Sequence, residues 1–247
     1  MAPASRAAPA APGVTVVVPT LDEGSCISGL LSSLGKGVGD DAVQEIIVSD
    51  GGSHDDTLEI ARAAGARLVT GAAGRGAQLA RGAALARTEF LFFVHADSRL
   101  RPGSLRALRQ ATRDSRVVAC GLSQQIEHEG RIFRWIERMA DRRVSWGWIY
   151  GDSGLFCRRS GYEEVGGYRP LPIFEDLDLS RRLKRVGAIR LVQEARIRIS
   201  SRRWEREGPL RRTFKNWCLT LAWAAGVAPE RLVRFYRPHV APEEEKP

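Results

Sequence analysis

The amino-acid sequence predicts an α/β protein: a Rossmann-like, doubly wound and mostly parallel sheet flanked by helices, followed by a C-terminal helical segment. Short runs of apolar, β-branched residues alternate with helical stretches through the N-terminal half. The run at 90–94, FLFFV, is apolar throughout, which is typical of a strand buried on both faces. The chain has 247 residues, of which 43% are hydrophobic, so a single domain can bury a core of its own.

Each predicted element is marked by a change in residue pattern. The first strand ends at a proline and the second runs into two glycines, residues that interrupt regular structure. Strands are predicted at 14–19, 45–50, 66–70, 90–94 and 116–125, with a loop and short strand at 151–158 and an extended segment at 188–199. Helices are predicted at 23–34, 74–86, 102–112, 132–146 and 175–185, with two more at 209–226 and 230–236. A further helix is predicted after the capping-box-like spacing of Ser53 and Asp56, and it ends at Ala64.

Composition narrows the class of protein. The net charge of +9 predicts attraction to something anionic: nucleic acid, lipid headgroups or a phosphorylated substrate. The four cysteines lie far apart and form no C-x-x-C pair, which argues against a zinc site and favours a reducing cytoplasm. No apolar run reaches the roughly 18 residues that suggest a membrane span. Residues 1–12, rich in Ala and Pro, are predicted as a tail rather than a signal peptide, and 238–247 as a second tail.

Polar residues follow four of the predicted strands, at 19–23, 50–53, 71–75 and 95–98. The carboxyl ends of parallel strands meet at one edge of a sheet, where ligands bind near the switch point in strand order. One strand-end carboxylate is often only a turn or helix cap, but four polar clusters at one edge predict a binding site. The glycine-rich segment at 71–76 suits phosphate at a helix N-terminus, although its spacing is not that of a dinucleotide fingerprint.

Taken in order, these segments resemble the family 2 glycosyltransferases of the GT-A fold. The shared pattern is a VVVPT strand at 16–20, a D-G-S-x-D-x-T-like turn from Asp50, and a D-x-D-like triplet, here His95-Ala96-Asp97. The H-A-D triplet and an S-S-R-R-W segment at 200–204 also resemble a bacterial subgroup of that family. Roughly residues 14–199 take part in the resemblance.

The resemblance implies an enzyme that moves a sugar from a UDP- or GDP-sugar to an acceptor hydroxyl, with inversion and with Mn²⁺ or Mg²⁺ as cofactor. The acceptor is expected to be a small molecule, a glycan or a lipid-linked sugar carrier, and nucleic acid is not an expected partner. One domain is expected at 13–207, with a nucleotide-binding half at 13–100 and an acceptor-side half at 101–207. Helices at 208–237 follow it.

The resemblance assigns a set of residues to the nucleotide: Pro19, Thr20, Glu23, Asp50, Gly51, Arg75, His95, Ala96 and Asp97. Asp50 matches the carboxylate that accepts the nucleobase N–H, although a turn cap explains it too. Asp97, with His95, is the predicted metal site, because a hard cation neutralises a departing diphosphate. His95 stands where the family often has aspartate. Imidazole suits Mn²⁺ better than Mg²⁺, and a hydrogen bond to ribose or sugar is its alternative role.

The catalytic pair is expected at the start of the helix predicted at 175–185. Glu175 and Asp176 match the family's E-D motif, in which the aspartate deprotonates the acceptor hydroxyl. The alternative is that acidic residues merely suit the first turn of a helix. The residues assigned to the sugar and acceptor are Gly151, Asp152, Arg203 and Trp204, with turn chemistry and a basic surface as their alternatives. The segment with Arg203 and Trp204 resembles one that lies near the donor diphosphate in related enzymes, where arginine contacts phosphate and tryptophan can stack on a sugar.

The long C-terminal helix has two interpretations. Its basic residues near the start are Arg211, Arg212 and Lys215, and its apolar residues further on are Trp217, Leu219, Leu221 and Trp223. Either the helix packs on the core, or it contacts anionic lipid and brings a cytoplasmic enzyme to the inner face of a membrane.

Three rival functions stay open at this point. A nucleotidyltransferase that makes sugar nucleotides would carry its glycine-rich loop after the first strand, where this chain has 19–23, PTLDE. A nucleic-acid-binding module would explain the positive charge but not the strand-end carboxylates. A degenerate family member that only binds a nucleotide is suggested by His95 in the triplet.

Overall fold

The computed structural model describes residues 11–35, 39 and 42–236. Its strands are β1 (Ala11–Thr20), β2 (Glu45–Asp50), β3 (Arg67–Thr70), β4 (Thr88–Phe93), β5 (Ser98–Leu100), β6 (Val117–Ile126), β7 (Leu155–Arg158) and β8 (Ala188–Ile199). Its helices are α1 (Gly24–Leu34), α2 (Thr57–Ala63), α3 (Arg75–Ala83), α4 (Ser104–Ala111), α5 (Arg131–Ser145), α6 (Arg159–Glu164), α7 (Glu175–Leu183), α8 (Arg202–Glu207), α9 (Pro209–Ala224) and α10 (Pro229–Leu232).

The strands form one sheet in the order β3-β2-β1-β4-β7-β6-β8-β5. The β3, β2, β1 and β4 strands are parallel, β7 is antiparallel to both of its neighbours, and β8 is parallel to β6. The short β5 pairs antiparallel with the end of β8. The predicted doubly wound, mostly parallel sheet is therefore confirmed. Because β2 and β4 lie on opposite sides of β1, the switch in strand order falls at the carboxyl end of β1.

Strand β1 shows why this sequence forms a central strand. Val16 and Val18 belong to the core cluster on one side of the sheet, and Val17 belongs to the cluster on the other. All three side chains are fully buried. A third apolar cluster packs α7 against α9 and α10, so the C-terminal helices are part of the fold. Within the described ranges, no helix combines the length and apolarity that crossing a bilayer requires.

The elements match the predictions closely, with differences at the ends and in three short segments. Strand β1 begins at Ala11, inside the segment predicted as a tail, while residues 1–10 and 237–247 lie outside the described part. The elements that the patterns missed are β5, α6 and α8. Each has six residues or fewer, too short for a period of 2 or 3.6 to show.

Candidate active site

A cavity of about 750 Å³ opens at the carboxyl edge of the sheet. Its lining includes residues that follow β1, β4, β6 and β8, the turn before β7, the first turn of α7, and one face of α8 and α9. Those residues are Asp22, Glu23, Ser25, Cys26, Arg75, His95, Asp97, Arg99, Glu127, Tyr150, Gly151, Asp152, Ile173, Phe174, Asp176, Ile199, Ser200, Arg202, Trp204, Arg206, Glu207, Arg212, Lys215, Asn216, Leu219 and Tyr236. The cavity is lined by both carboxylates and cations.

The loop after β1 is held by the loop after β2. The Asp22 carboxylate accepts the His54 amide at 2.7 Å, and the Asp55 carboxylate accepts the Gly24 amide at 2.8 Å. Asp22 itself has a φ of 53°, a left-handed conformation that short polar residues tolerate. These bonds give the β1–α1 loop one defined shape, which sets the position of Glu23 in the cavity wall.

Asp50 ends β2 with its carboxylate fully buried. One oxygen accepts the Thr20 hydroxyl at 2.9 Å and the Ser53 hydroxyl at 2.5 Å, and the other accepts the Gly52 and Ser53 amides at 2.7 and 2.8 Å. Burial alone would raise the pKa of Asp50, but these hydrogen bonds outweigh it and hold the pKa below its ordinary value. A carboxylate offers about four acceptor positions, so the turn already occupies them.

His95 and Asp97 follow β4 and both line the cavity. Gly151 packs directly on the imidazole: a Cβ at residue 151 would lie 2.4 Å from the Nε2 atom of His95. Among the residues described here, no group of three or more His, Cys, Asp and Glu side chains is placed to hold a metal. A cation at this place would therefore take its other ligands from a substrate or from water.

The first turn of α7 is reached through a strained residue. Phe174 precedes the helix with a φ of 64°, which is unusual for a bulky side chain, and its ring lies 5.7 Å from that of Trp223. Glu175 is buried outside the cavity lining and forms an ion pair with Arg75 at the start of α3. Gly76 of α3 packs against the chain before α7 and against its first residue: a Cβ there would lie 2.3 Å from the Arg169 carbonyl oxygen and 3.2 Å from the Glu175 Cβ.

Asp176 is the buried carboxylate that faces the cavity from α7. Its Oδ2 accepts the Gly151 amide at 2.6 Å and its Oδ1 accepts the Leu177 amide at 2.7 Å. Burial and the neighbouring charge of Glu175 raise the pKa of Asp176 to about 7, against the opposing effect of Arg75. A carboxylate with a pKa near 7 is suited to accept a proton at neutral pH.

Asp152 and Tyr150 form the next part of the wall. Arg143 of α5 lies 3.3 Å from the Asp152 carboxylate and stacks over the Tyr150 ring at 3.5 Å from the ring centre. The Tyr150 hydroxyl shares a short hydrogen bond with Thr220 of α9. This chain of contacts ties the turn before β7 to the C-terminal helix.

The charged and apolar residues of α9 are arranged differently from those of an interfacial helix. Arg212 and Lys215 line the cavity, whereas Arg211 is exposed. The outward stripe is apolar instead: Leu210 is 63% exposed, Phe214 72%, Trp217 39% and Leu221 59%. Of the predicted apolar residues, Leu219 and Trp223 are buried as a packed helix requires.

The structure brings together only part of the predicted site. The predicted residues that line the cavity are Glu23, Arg75, His95, Asp97, Gly151, Asp152, Asp176 and Trp204. Those outside the lining are Pro19, Thr20, Asp50, Gly51, Ala96 and Glu175. Arg203 belongs to α8, but its side chain lies outside the described part of the structure.

Several lining residues were not predicted. Glu127 follows β6 directly, so the rule that selected the other strand-end clusters would have selected it too. Arg99, Arg206, Asn216 and Tyr236 carry no such signal, because their contribution depends on how α8, α9 and β5 pack.

The fold and this site define the chain as a GT-A-type α/β domain, with a cavity at the switch point of the sheet and a His-x-Asp pair after the fourth strand. The chain belongs to glycosyl transferase family 2, whose model matches residues 15–169.

Similar proteins were found in sequence and in structure. A glucosyl-3-phosphoglycerate synthase of Mycolicibacterium paratuberculosis is 39% identical over 101 residues, which cover 37% of this chain and 30% of that protein. The match therefore spans less than a third of the relative's length.

Solved structures share the fold at lower identity. Residues 1-349 of TarS from S. aureus have a TM-score of 0.60 at 18% identity, over 76% of this chain and 60% of that fragment. The glucosyl-3-phosphoglycerate synthase of Mycobacterium tuberculosis, in complex with Mn²⁺, UDP-glucose and phosphoglyceric acid, has a TM-score of 0.57 at 22% identity, over 76% of this chain and 70% of that one. A mannosyltransferase from Pyrobaculum calidifontis, in complex with GDP-Man and Mn²⁺, has a TM-score of 0.61 at 20% identity, over 76% of this chain and 56% of that one.

Proposed function

We propose that this protein is a glycosyltransferase that moves a sugar from a nucleoside-diphosphate sugar to an acceptor hydroxyl, with Asp176 as the general base. The observation that carries the proposal is a buried carboxylate of raised pKa in the wall of a strand-edge cavity, in a member of glycosyl transferase family 2. The relatives named above bind UDP-glucose or GDP-Man, which supports a UDP- or GDP-sugar as donor here.

The reaction needs one proton acceptor and one departing group. Asp176 takes the proton of the acceptor hydroxyl as the oxygen attacks the anomeric carbon. The bond from that carbon to the diphosphate oxygen breaks, and the nucleoside diphosphate leaves with the bonding electrons. The Gly151 and Leu177 amides hold both carboxylate oxygens, so the base is oriented before the acceptor arrives. A single displacement of this kind inverts the anomeric centre, which NMR of the product tests.

A divalent cation, Mn²⁺ or Mg²⁺, fits the donor set of this cavity. Asp97 supplies a carboxylate and His95 an imidazole, ligands that together favour Mn²⁺, and both face the space where a diphosphate would be bound. When bound there, the cation neutralises charge on the departing diphosphate. Asp97 and His95 would hold the cation from the protein side.

The nucleoside is proposed to lie against the loops that follow β1 and β2. Thr20, Asp50 and Gly51 would form its floor with Pro19, Glu23 and Ala96 beside them. Because the Asp50 oxygens are occupied by the turn, a nucleobase N–H would have to share one of them with an existing donor. Arg75, paired with Glu175, would sit between the nucleotide and the catalytic turn.

Gly151, Asp152, Arg203 and Trp204 are proposed to bind the sugar and the acceptor. The H-A-D triplet and the S-S-R-R-W segment are proposed to mark a bacterial subgroup of the family. Contact with a membrane through α9 also stays a proposal. Its exposed stripe of Leu210, Phe214, Trp217 and Leu221 favours such contact, although the inward position of two of its cations weakens it.

The test is a thermal-shift and hydrolysis screen of the protein against UDP-, GDP- and dTDP-sugars, each with Mn²⁺, Mg²⁺ or chelator. We expect one nucleotide to raise the melting temperature only when metal is present. Asp97→Ala should remove this rise, while Asp56→Ala, which changes an exposed carboxylate outside the cavity, should keep it.

The same screen separates the rival functions. Release of pyrophosphate from an NTP and a sugar phosphate would identify a nucleotidyltransferase. Binding without hydrolysis or transfer would identify a degenerate, nucleotide-binding protein. A folded protein that ignores every nucleotide but shifts DNA or RNA steeply with salt would be a nucleic-acid-binding module.

A further inference from the structure

The Gly151 amide holds Asp176 from outside its own helix, donating to Oδ2 at 2.6 Å. Gly151 has no side chain through which it could be anchored, so the position of its amide depends on the residues around it. It opens the single 3₁₀ turn Gly151–Ser153, in which the Ser153 amide donates to the Tyr150 carbonyl oxygen at 2.9 Å. Hydrogen bonds of this type have poor geometry, so a turn of three residues needs other contacts to keep its shape. Whatever fixes this turn also fixes the proposed general base.

Arg143 of α5 contacts every side chain of the segment 150–153, since residue 151 is glycine. Its guanidinium carbon lies 3.5 Å from the centre of the Tyr150 ring. Its Nη2 donates to the Asp152 carboxylate at 3.3 Å and to the Ser153 hydroxyl oxygen at 3.1 Å. A planar guanidinium suits this task, because its face can stack on an aromatic ring while its edge donates in fixed directions. The Arg143 side chain is only 15% exposed, so it is held among these partners.

The end of α5 fixes Arg143 in turn. Val144, the next residue, is fully buried and packs against Gly121 of β6, where a Cβ would lie 2.6 Å from Val144 Cγ1. The Arg143 carbonyl oxygen accepts the amides of Trp146 and Trp148, in the segment that leads to the turn. Arg143 therefore joins the packing of α5 on the sheet to the position of the turn.

We infer that Arg143 is a positioning residue for the reaction: by clamping the turn, it holds the Gly151 amide against Asp176 and fixes the direction in which the carboxylate meets the acceptor hydroxyl. The inference rests on the proposed function in one respect, that Asp176 is the base. Arg143 lies outside the lining of the cavity, so it acts through Gly151 and not on a substrate.

The clamp has a measurable signature in the ionisation of Asp176. The Gly151 hydrogen bond favours the ionised carboxylate, against burial and the charge of Glu175. The other charged and titratable groups near this carboxylate are Arg75 of α3 and the phenols of Tyr150 and Tyr168. If the turn loosens, the hydrogen bond weakens and the pKa of Asp176 rises above about 7. If Arg143 served stability alone, its loss would lower the free energy of unfolding equally at every pH.

The experiment measures this pKa without any substrate, by urea unfolding at a series of pH values. The unaltered protein, Arg143→Met, Arg143→Lys and Arg142→Met are each compared with the same protein carrying Asp176→Asn, and the difference isolates the titration of Asp176. We expect both Arg143 variants to move the upper end of this titration upward by about one pH unit, part of one charge-assisted hydrogen bond. Arg142→Met is the matched control, because it removes the same charge from the exposed side of α5. It should leave the titration unchanged.

An unchanged titration in both Arg143 variants overturns the inference, since the turn then holds Asp176 without the clamp. A shift in Arg143→Met but not in Arg143→Lys also overturns it, because charge and not contact geometry would be responsible. Hydrolysis of UDP-glucose with Mn²⁺ tests the proposed function separately, and the pH midpoint of its kcat/KM should move with the titration. A titration that shifts while hydrolysis does not follow it, or is absent, supports the clamp and tells against Asp176 as the base.

Discussion

Two aspartates at the same edge of the sheet are both buried, but they differ in their hydrogen bonds, in the nearest charge and in their pKa. Asp50, in the turn after β2, accepts four hydrogen bonds, two of them from hydroxyl groups, and its pKa is lowered. Asp176, at the start of α7, accepts two backbone amides, lies beside Glu175, and has its pKa raised to about 7. Removal from water raises the pKa of both, so the number of donors and the nearest charge decide the outcome.

This contrast separates a carboxylate that holds a turn from one that can do chemistry. The Asp50 region orders two loops, and its charge is stabilised whether or not a ligand is present. The Asp176 region keeps a carboxylate under-stabilised, next to a residue in a strained conformation, at the wall of the cavity. Buried groups with shifted pKa values and incomplete hydrogen bonding are typical of active sites.

The strongest test of the contrast is Asp176→Asn. The amide keeps the size of the side chain but cannot take a proton, so we expect transfer to fall by about 10² to 10⁴-fold. Donor binding, measured by titration of UDP with Mn²⁺, should stay within a few-fold. Asp50→Asn is the comparison: it should lower stability and donor binding together, because it disturbs the turn. A loss of donor binding in Asp176→Asn, with transfer reduced only in proportion, would contradict the assignment of the base.

The second test uses pH, because the two aspartates predict opposite changes of stability with pH. Asp176 must be ionised to act as a base, so kcat/KM should rise up to tenfold per pH unit until about 7 and then level off. The contribution of Asp176 to stability should fall over the same pH range. The folded protein holds a proton on Asp176 that the unfolded chain releases between about pH 4 and 7, so this group's contribution falls as pH rises through that window.

Asp50 contributes stability above its ordinary pKa and loses it as the pH falls below that value. Urea unfolding at a series of pH values should therefore show the decline between pH 4 and 7 in the unaltered protein and its absence in Asp176→Asn. The same decline in both proteins would assign it to another group.

The sheet and the order of the site segments could be predicted because each depends on local pattern. The buried valines of β1 are read from their β-branched run, and the polar clusters from their place after a strand. The hydrogen bonds of Asp50 could not be predicted from local pattern. Whether its oxygens point at a ligand or at the turn depends on where Ser53 and Thr20 lie, and the capping and binding interpretations share the same residues.

The sequence pattern of the C-terminal helix was also insufficient to predict its environment. A run with Arg211, Arg212 and Lys215 at its start and aromatic residues beyond it suits both a packed helix and an interfacial one. The two interpretations differ in which way the cations face, and that depends on the packing of Leu219 and Trp223 against α7 and α10. Long-range packing of this kind leaves no period in the sequence.

The smallest effect is expected from Gly151→Ala, which tests the geometry that joins the proposed base to the proposed metal site. The added Cβ would lie 2.4 Å from His95 Nε2, so either the imidazole or the turn that donates to Asp176 must shift. We expect a stability loss of about 1–3 kcal/mol in urea unfolding. Transfer should fall several-fold as well. Gly35→Ala is the control, because its Cβ would meet only the Leu31 carbonyl oxygen at 3.5 Å. Equal stability and equal transfer in the two variants would show that Gly151 does not couple His95 to Asp176.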